Sequence, residues 1–126
     1  MIYLCNGLSQ SMLREPNMKQ IPFSLTEEEF TRIVLNTEWT SVIGHQDLSE
    51  CLTKITGVEI PFNRRGIMLN YEDIVLLVSL NGRLPEHPRK VELKNRLNYA
   101  LIRFEKQSIT DLSHSVGLIK EITGEI

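Results

Sequence analysis

A histidine follows a glycine at what reads as the start of a helix, in the segment Ser41-Val42-Ile43-Gly44-His45. Asp47 is a preferred N-cap residue type and Glu50 follows three positions later, so a helix is predicted to begin here, capped by Asp47. A helix N-terminus presents free N–H groups and a partial positive charge, which favour a bound anion. A histidine there can give or take a proton near neutral pH. His45 is therefore a candidate acid or base, and the alternative is a surface or packing histidine.

Arg83 and Glu86 lie in a polar loop that follows the most apolar run of the chain. Ligands bind α/β folds at the carboxyl ends of their strands, which is where this loop is expected. An arginine grips a phosphate through two parallel hydrogen bonds, and a glutamate orients a hydroxyl or a neighbouring side chain. Pro85 stiffens the loop between them. The alternative for this pair is a surface ion pair, worth roughly 0–1 kcal/mol.

Two further turns contain side chains that suit an anionic ligand. Asn63-Arg64-Arg65-Gly66 is a basic turn whose arginines can bind phosphate, with solvated arginines as the alternative. Ser9 and Ser11 follow the first apolar run, where α/β sheets commonly bind ligands. For these serines the alternative is ordinary turn chemistry.

The sequence shows no metal-binding pattern. Cys5 and Cys51 are the two cysteines of the chain, and their separation does not match a metal site. Both are predicted to be buried thiols in a reducing compartment. The carboxylates likewise lack metal-ligand spacing. We therefore expect no metal and no cofactor.

Composition excludes several classes of partner. With 126 residues, of which 41% are hydrophobic and 24% charged, the chain is an ordinary globular domain. Its formal net charge of -2 argues against broad nucleic-acid binding, so no DNA partner is expected, although a few arginines can still bind a small anion. The first residues lack the basic segment and long apolar run of a signal peptide, so none is expected, and no apolar run approaches the roughly 20 residues of a membrane span. The expectation is a cytoplasmic protein without a membrane partner.

Hydrophobic periodicity and turn residues divide the chain into strands and helices. Thr26 and Glu29 form a capping box at the start of the first helix, and Gly57 is expected to stop the second. Pro22 makes its strand an edge strand, and the apolar run 74–80 marks the central strand. The predicted strands are 2–5, 21–25, 67–69, 74–80 and 99–105, and the predicted helices are 27–36, the segment from His45 to Gly57, and 110–123.

These elements describe an α/β fold, a single domain with a mixed sheet of about five strands flanked by helices. The mixed direction is predicted from the tight turn that joins strands 67–69 and 74–80. Residues 1–106 are assigned to the α/β domain and residues 107–126 to a C-terminal helical extension.

The order and spacing of four short motifs resemble the viral type III anti-CRISPR ring nucleases and their cellular relatives, which degrade cyclic tetra-adenylate. The resemblance covers roughly residues 2 to 105. The matching residues are Asn6 to Leu13, Ile43-Gly44-His45, Gly57 followed by Asn63-Arg64, and Arg83-Leu84-Pro85-Glu86.

The resemblance implies a role for each matching residue. His45 falls on the general acid of that family, and Arg83 and Glu86 fall on its arginine and glutamate after the central strand, so all three are expected to be catalytic. The family is metal-independent and works as a symmetric dimer around one ring, so the expected partners are cyclic tetra-adenylate and a second copy of the chain. The resemblance also implies that Ser9 and Arg64 bind the ligand, and Asn6 and Asn63 are further candidates that could contact its adenine bases.

The expected reaction is cleavage of a 3′–5′ linkage by the ring's own 2′-hydroxyl, which yields linear di-adenylate with 2′,3′-cyclic phosphate ends. His45 would protonate the leaving 5′-oxygen, a contribution of roughly 10²–10⁴-fold in rate, and Arg83 would stabilise charge on the phosphate. Glu86 would either align His45 or accept a hydrogen bond from a ribose, and both roles stay open. The alternatives are a binder that sequesters a cyclic nucleotide without cutting it, and a small regulatory or assembly protein of a mobile element.

Overall fold

A computed structural model describes residues 1–81 and 93–106 of the chain. Besides a short 3-10 helix at Gln10–Met12, the elements are β1 (Ile2–Cys5), β2 (Met18–Leu25), α1 (Glu27–Asn36), β3 (Thr40–Ser41), α2 (Gln46–Thr56), β4 (Ile74–Leu80) and β5 (Leu97–Lys106). The five strands form one sheet in the order β2-β5-β4-β1-β3. Strand β1 runs parallel to β3 and β4, whereas β5 runs antiparallel to β4 and β2. The predicted α/β class with a mixed sheet is confirmed.

The positions of two strands in the sheet, β4 and β2, follow from their composition. Strand β4 lies in the middle of the sheet, as its apolar run predicts, with Val75, Leu76 and Val78 fully buried. Strand β2 lies at an edge, where a proline such as Pro22 is tolerated because one side of the strand needs no ladder hydrogen bonds. The sequence therefore determines both the centre and one edge of the sheet.

Both faces of the sheet are covered by apolar side chains. Successive residues of a strand point to opposite faces, so Leu4 belongs to one core cluster and Cys5 to the other. The first cluster contains Phe30 of α1 and Leu52 of α2, and both helices therefore pack on the same face. The second cluster includes loop residues, among them Leu13 and Leu69, that cover the opposite face.

The predicted strand at 67–69 is wrong. Leu69 forms a single parallel bridge with Leu13 instead, in which the Leu69 amide donates to the Met12 carbonyl (2.7 Å) and the Arg14 amide donates to the Leu69 carbonyl (3.1 Å). The segment pairs with a loop because its apolar side chains are needed to cover the second face of the sheet. The mixed strand direction therefore arises from β5 and not from a hairpin at residues 70–73.

The remaining strand of the sheet, β3, was not predicted from the sequence. Its two residues pair with β1 in the register Tyr3 to Thr40 and Leu4 to Ser41. A strand of this length gives no alternating pattern to detect. The helical segment predicted at 110–123, within the extension 107–126, lies outside the described residues.

Helix α1 begins at the predicted capping box. The Thr26 hydroxyl accepts a hydrogen bond from the Glu29 amide (3.1 Å), and the Glu29 carboxylate accepts one from the Thr26 amide (2.9 Å). The bond from the Thr26 backbone, followed by the contact with its side chain, lowers the pKa of Glu29 below its usual value. The carboxylate is thus held in its ionised form by the cap.

Replacing Glu29 with Gln is expected to weaken the acid dependence of stability. Because the pKa of Glu29 is lowered in the folded state, its ionised form contributes stability in full above the ordinary glutamate pKa. That contribution is lost as the pH falls through the lowered pKa, whereas glutamine keeps an acceptor oxygen and does not titrate. Thermal unfolding midpoints of both proteins across the acidic range test this, and parallel curves would contradict it.

Candidate functional site

A cavity of about 320 Å³ opens at the carboxyl ends of β1 and β3, beside the N-terminus of α2. Parallel neighbouring strands end at the same edge of a sheet, and open α/β sheets bind ligands there. Strand β4 is also parallel to β1, so its carboxyl end at Leu80 lies on this edge as well. The lining residues are Cys5, Asn6, Gly7, Met12, Val42, Gly44, His45, Arg64 and Arg65.

His45 is half-buried and serves as the N-cap of α2, where its Nδ1 accepts a hydrogen bond from the Leu48 amide (3.2 Å). The predicted cap, Asp47, is wrong, because Asp47 already lies in the first turn of the helix. Nδ1 is bonded to Cγ, as Oδ1 is in aspartate and asparagine, so it reaches the same amide that those caps reach. The predicted end of the helix is confirmed, since Gly57 adopts a left-handed conformation with φ of 77°.

The cap contact assigns the proton of the neutral His45 ring. A nitrogen that accepts a hydrogen bond carries no proton, so in the neutral ring the proton resides on Nε2. The ring also lines the cavity. Nε2 is thus the nitrogen left to exchange a proton with a ligand.

Asn6 connects the end of β1 to the segment that carries His45. Its side-chain oxygen accepts a hydrogen bond from the Gly44 amide at 2.9 Å. The same residue is exposed and lines the cavity, so its NH₂ group remains directed to a ligand or to solvent within the described structure. Of the predicted ligand contacts, Asn6 and Arg64 line the cavity together with His45.

Arg64 and Arg65 give the cavity a positive charge. Both are exposed, and neither forms an ion pair or hydrogen bond with any other residue that the structure describes. Arg64 packs across Gly44, and a Cβ added to Gly44 would lie 3.2 Å from Arg64 Cγ. Because Gly44 has no side chain, the stem of Arg64 can lie directly beside the residue that precedes His45.

Gly44→Ala is expected to weaken binding of cyclic tetra-adenylate, the ligand expected from the sequence. The added methyl group would lie 3.2 Å from Arg64 Cγ, so the Arg64 stem must shift by a few tenths of an ångström from its place against residue 44. The loss should be smaller than that of Arg64→Ala, for which removal of a charge-assisted hydrogen bond predicts a decrease in affinity of roughly 10- to 100-fold. Affinity for the labelled ring measures both effects.

Gly66→Ala provides the matched control for this substitution. A Cβ at Gly66 would meet no atom within 4 Å, so this variant should bind like the wild type. Equal affinities of the Gly44 and Gly66 variants would contradict a role for Gly44 in placing Arg64.

The other predicted ligand contacts occupy different places. Asn63 does not line the cavity, and its side chain instead donates to the Ser41 carbonyl at 2.8 Å. Ser9 also lies off the lining, where its hydroxyl is 2.9 Å from that of Ser11 at the start of the 3-10 helix. Arg83 and Glu86 lie outside the described residues, and their predicted roles remain predictions.

The cavity is also lined by side chains that are not among the predicted catalytic or ligand-binding residues. Arg65 was visible as the second arginine of the basic turn, whereas Met12 carries no signal that distinguishes it from a packing residue. Cys5 lines the cavity but is buried, and burial raises the pKa of its thiol to about 12. Cys5 therefore remains a neutral thiol and is a poor nucleophile. Cys51 is buried too, so the predicted burial of both thiols is confirmed.

Within residues 1–81 and 93–106, no group of three or more His, Cys, Asp or Glu side chains is arranged to hold a metal ion. No helix in this part of the chain is long and apolar enough to cross a membrane.

Comparison with known proteins connects the chain to viruses of Sulfolobus. A family profile described as STIV B116-like matches residues 2–106. The chain is 32% identical over 109 residues to uncharacterized protein 26 of Sulfolobus islandicus filamentous virus (isolate Iceland/Hveragerdi), covering 83% of this chain and 91% of that protein. Its fold is similar to that of B116 of Sulfolobus turreted icosahedral virus, with a TM-score of 0.68 and 21% identity, covering 81% of this chain and 97% of the other.

Proposed function

This chain belongs to the STIV B116-like family of viral proteins, and we propose that it is a ring nuclease that binds and cleaves cyclic tetra-adenylate. Its activity would remove the second messenger of type III CRISPR defence in the cytoplasm of an infected host cell. The proposal rests on the site described above together with the motif resemblance noted in the sequence.

The observation that carries the proposal is the set of groups around one cavity. A titratable ring, His45, lies at a helix N-terminus beside Arg64 and Arg65, which lack ion-pair partners among the described residues. Unpaired cations and a helix N-terminus both favour a phosphate group. A histidine beside a bound phosphodiester is suited to proton transfer to its leaving oxygen.

The proposed reaction needs only groups of the ring and the protein. The 2′-oxygen of one ribose forms a bond to the adjacent phosphorus, the bond from phosphorus to the 5′-oxygen breaks, and the 2′-hydroxyl proton leaves to a base or to water. His45 gives the proton on Nε2 to the departing 5′-oxygen, while the arginines stabilise charge on the phosphate. Arg83 and Glu86 are proposed to complete the site from the loop after β4.

Proton donation by His45 has a structural consequence for α2. The ring that gives up its Nε2 proton is the imidazolium, in which Nδ1 also carries a proton and cannot accept a hydrogen bond. The contact between Nδ1 and the Leu48 amide must therefore be given up before the proton is transferred. Binding of the phosphate at the helix N-terminus would compensate by accepting hydrogen bonds from the amides of this turn.

A dimer accounts for the size of the ligand. A cavity of about 320 Å³ holds one nucleotide unit more readily than a whole cyclic tetranucleotide. Two copies related by a twofold axis would offer two such cavities, and two copies of His45, to opposite sides of the ring. Cleavage at both sides would give linear di-adenylate with 2′,3′-cyclic phosphate ends.

The assay is incubation of the protein with labelled cyclic tetra-adenylate in the presence of EDTA, followed by separation of the products. We expect di-adenylate that carries a cyclic phosphate end. A protein that neither binds nor cleaves the ring would overturn the proposal.

The second candidate is a protein that binds the ring and leaves it intact. The cap contact favours this reading, because the bond from the Leu48 amide to Nδ1 gives His45 a structural role that requires no catalysis. Tight binding of an uncut ring in the same assay would support sequestration.

A further inference from the structure

The backbone that carries His45 is fixed by asparagine side chains on both sides. Asn6 accepts a hydrogen bond from the Gly44 amide (2.9 Å), and the Asn63 side-chain NH₂ donates to the Ser41 carbonyl (2.8 Å). The Asn63 main chain adds a second bond, from its amide to the Ile43 carbonyl (2.9 Å). Asn63 thus donates hydrogen bonds to two carbonyls of this segment, those of Ser41 and Ile43.

The hydrogen bonds of these side chains begin where the backbone hydrogen bonds between β3 and β1 end. Strand β3 stops at Ser41, and the last bond between this segment and β1 runs from the Val42 amide to the Leu4 carbonyl (2.9 Å). Beyond it the segment needs other partners for its peptide groups, because backbone groups near the core are rarely left unpaired. Asn63 lies in a half-buried position, and its bond to Ser41 is partly shielded from water.

Asn63 also fixes the start of the basic turn. Arg64 follows it directly and packs on Gly44, so the segment 62–64 is joined to the segment 41–45 at consecutive points. A parallel bridge between Ile43 and Phe62 adds to this contact. The position of Arg64 relative to His45 therefore depends on the two hydrogen bonds that Asn63 donates to the segment 41–45.

We propose that Asn63 is a positioning residue, which sets the distance between His45 and Arg64, and that it does not contact the adenine bases. This inference rests on the proposed cleavage of the ring. Its side-chain NH₂ group donates to the Ser41 carbonyl, and the residue is not part of the cavity lining. Reactions that depend on placed groups lose about 10²-fold in rate for a displacement of 1 Å.

Asn63→Ala is the variant that tests this role, and Asn36→Ala is its matched control. The Asn36 side chain also donates to a carbonyl, that of Arg32, at 2.6 Å, but it does so at the exposed end of α1. Both variants thus lose one amide-to-carbonyl bond. Only the Asn63 variant loses it beside the proposed site.

The measurements are the single-turnover rate constant with saturating enzyme, the affinity for labelled cyclic tetra-adenylate, and hydrogen exchange of the Gly44 and Leu48 amides without ligand. For Asn63→Ala we expect the rate constant to fall by about 10- to 100-fold, with a smaller change in affinity and faster exchange at both amides. Asn63→Asp keeps the size of the side chain but places an acceptor against the Ser41 carbonyl, so it should lose rate as well. The aspartate variant also serves if the alanine variant fails to fold.

Several outcomes would overturn the inference. A rate constant equal to that of Asn36→Ala would remove any positioning role, and a loss confined to affinity would make Asn63 a ligand contact. A wild type that cuts the ring, with Asn63 variants that cut equally well, would remove this inference alone. A wild type that leaves the ring uncut would remove the proposed function and this inference together.

Discussion

His45→Asn is expected to bind cyclic tetra-adenylate and fail to cleave it. Asparagine places an acceptor oxygen where Nδ1 now accepts from the Leu48 amide, so the cap of α2 should be retained. Asparagine cannot donate a proton to the 5′-oxygen, and the loss of a general acid lowers rates by roughly 10²–10⁴-fold. Single-turnover cleavage and binding of the labelled ring measure the two effects separately.

His45→Ala is the comparison that separates catalysis from capping. Alanine removes the proton donor and the cap together, so it should lose cleavage to the same extent and also lose about 1 kcal/mol of stability. The asparagine variant should have a free energy of unfolding close to that of the wild type. Cleavage at the wild-type rate by His45→Asn would remove His45 from the mechanism.

Phe30→Ala is expected to produce the largest loss of stability among the substitutions considered. Phe30 has 0% of its surface exposed, and its ring stacks on Tyr99 with centroids 4.6 Å apart. Its removal leaves a cavity between α1 and β5, and such substitutions lower the free energy of unfolding by about 3–5 kcal/mol. Denaturant unfolding followed by circular dichroism measures the change.

Phe23→Ala is the matched control for this experiment. Phe23 lies on the edge strand β2, with 47% of its surface exposed, and packs against the Arg103 guanidinium 5.4 Å from its centroid. Its loss should lower the free energy of unfolding by about 1 kcal/mol or less. An equally small effect of Phe30→Ala would contradict its place in the core.

Much of the fold follows from local sequence patterns. The apolar run of β4 indicated the centre of the sheet, and Thr26 with Glu29 located the start of α1 to the residue. The run 67–69 failed as a strand because its apolar residues cover the sheet from a loop, which depends on contacts distant in sequence. A short apolar run carries no information about whether it enters the sheet or lies on it.

The prediction of the candidate site was incomplete for a related reason. Gly44 and His45 could be placed at a helix entrance from their neighbours alone, but the choice between His45 and Asp47 as the cap depends on the backbone angle at the entrance. The roles of Asn6 and Asn63 in fixing the backbone require that three separate segments meet. Amide side chains suit ligand contacts and backbone contacts equally well, so their residue type does not distinguish the two.

The cap of α2 makes the Leu48 amide a spectroscopic probe of the His45 ring. Because this amide donates to Nδ1, its proton resonance and its exchange with solvent depend on whether Nδ1 is free to accept. The amide lies on a buried helical residue and needs no label beyond ¹⁵N. NMR of the Leu48 amide can therefore show whether Nδ1 of His45 carries a proton as cyclic tetra-adenylate is added. The measurement also works in variants that do not cleave the ring.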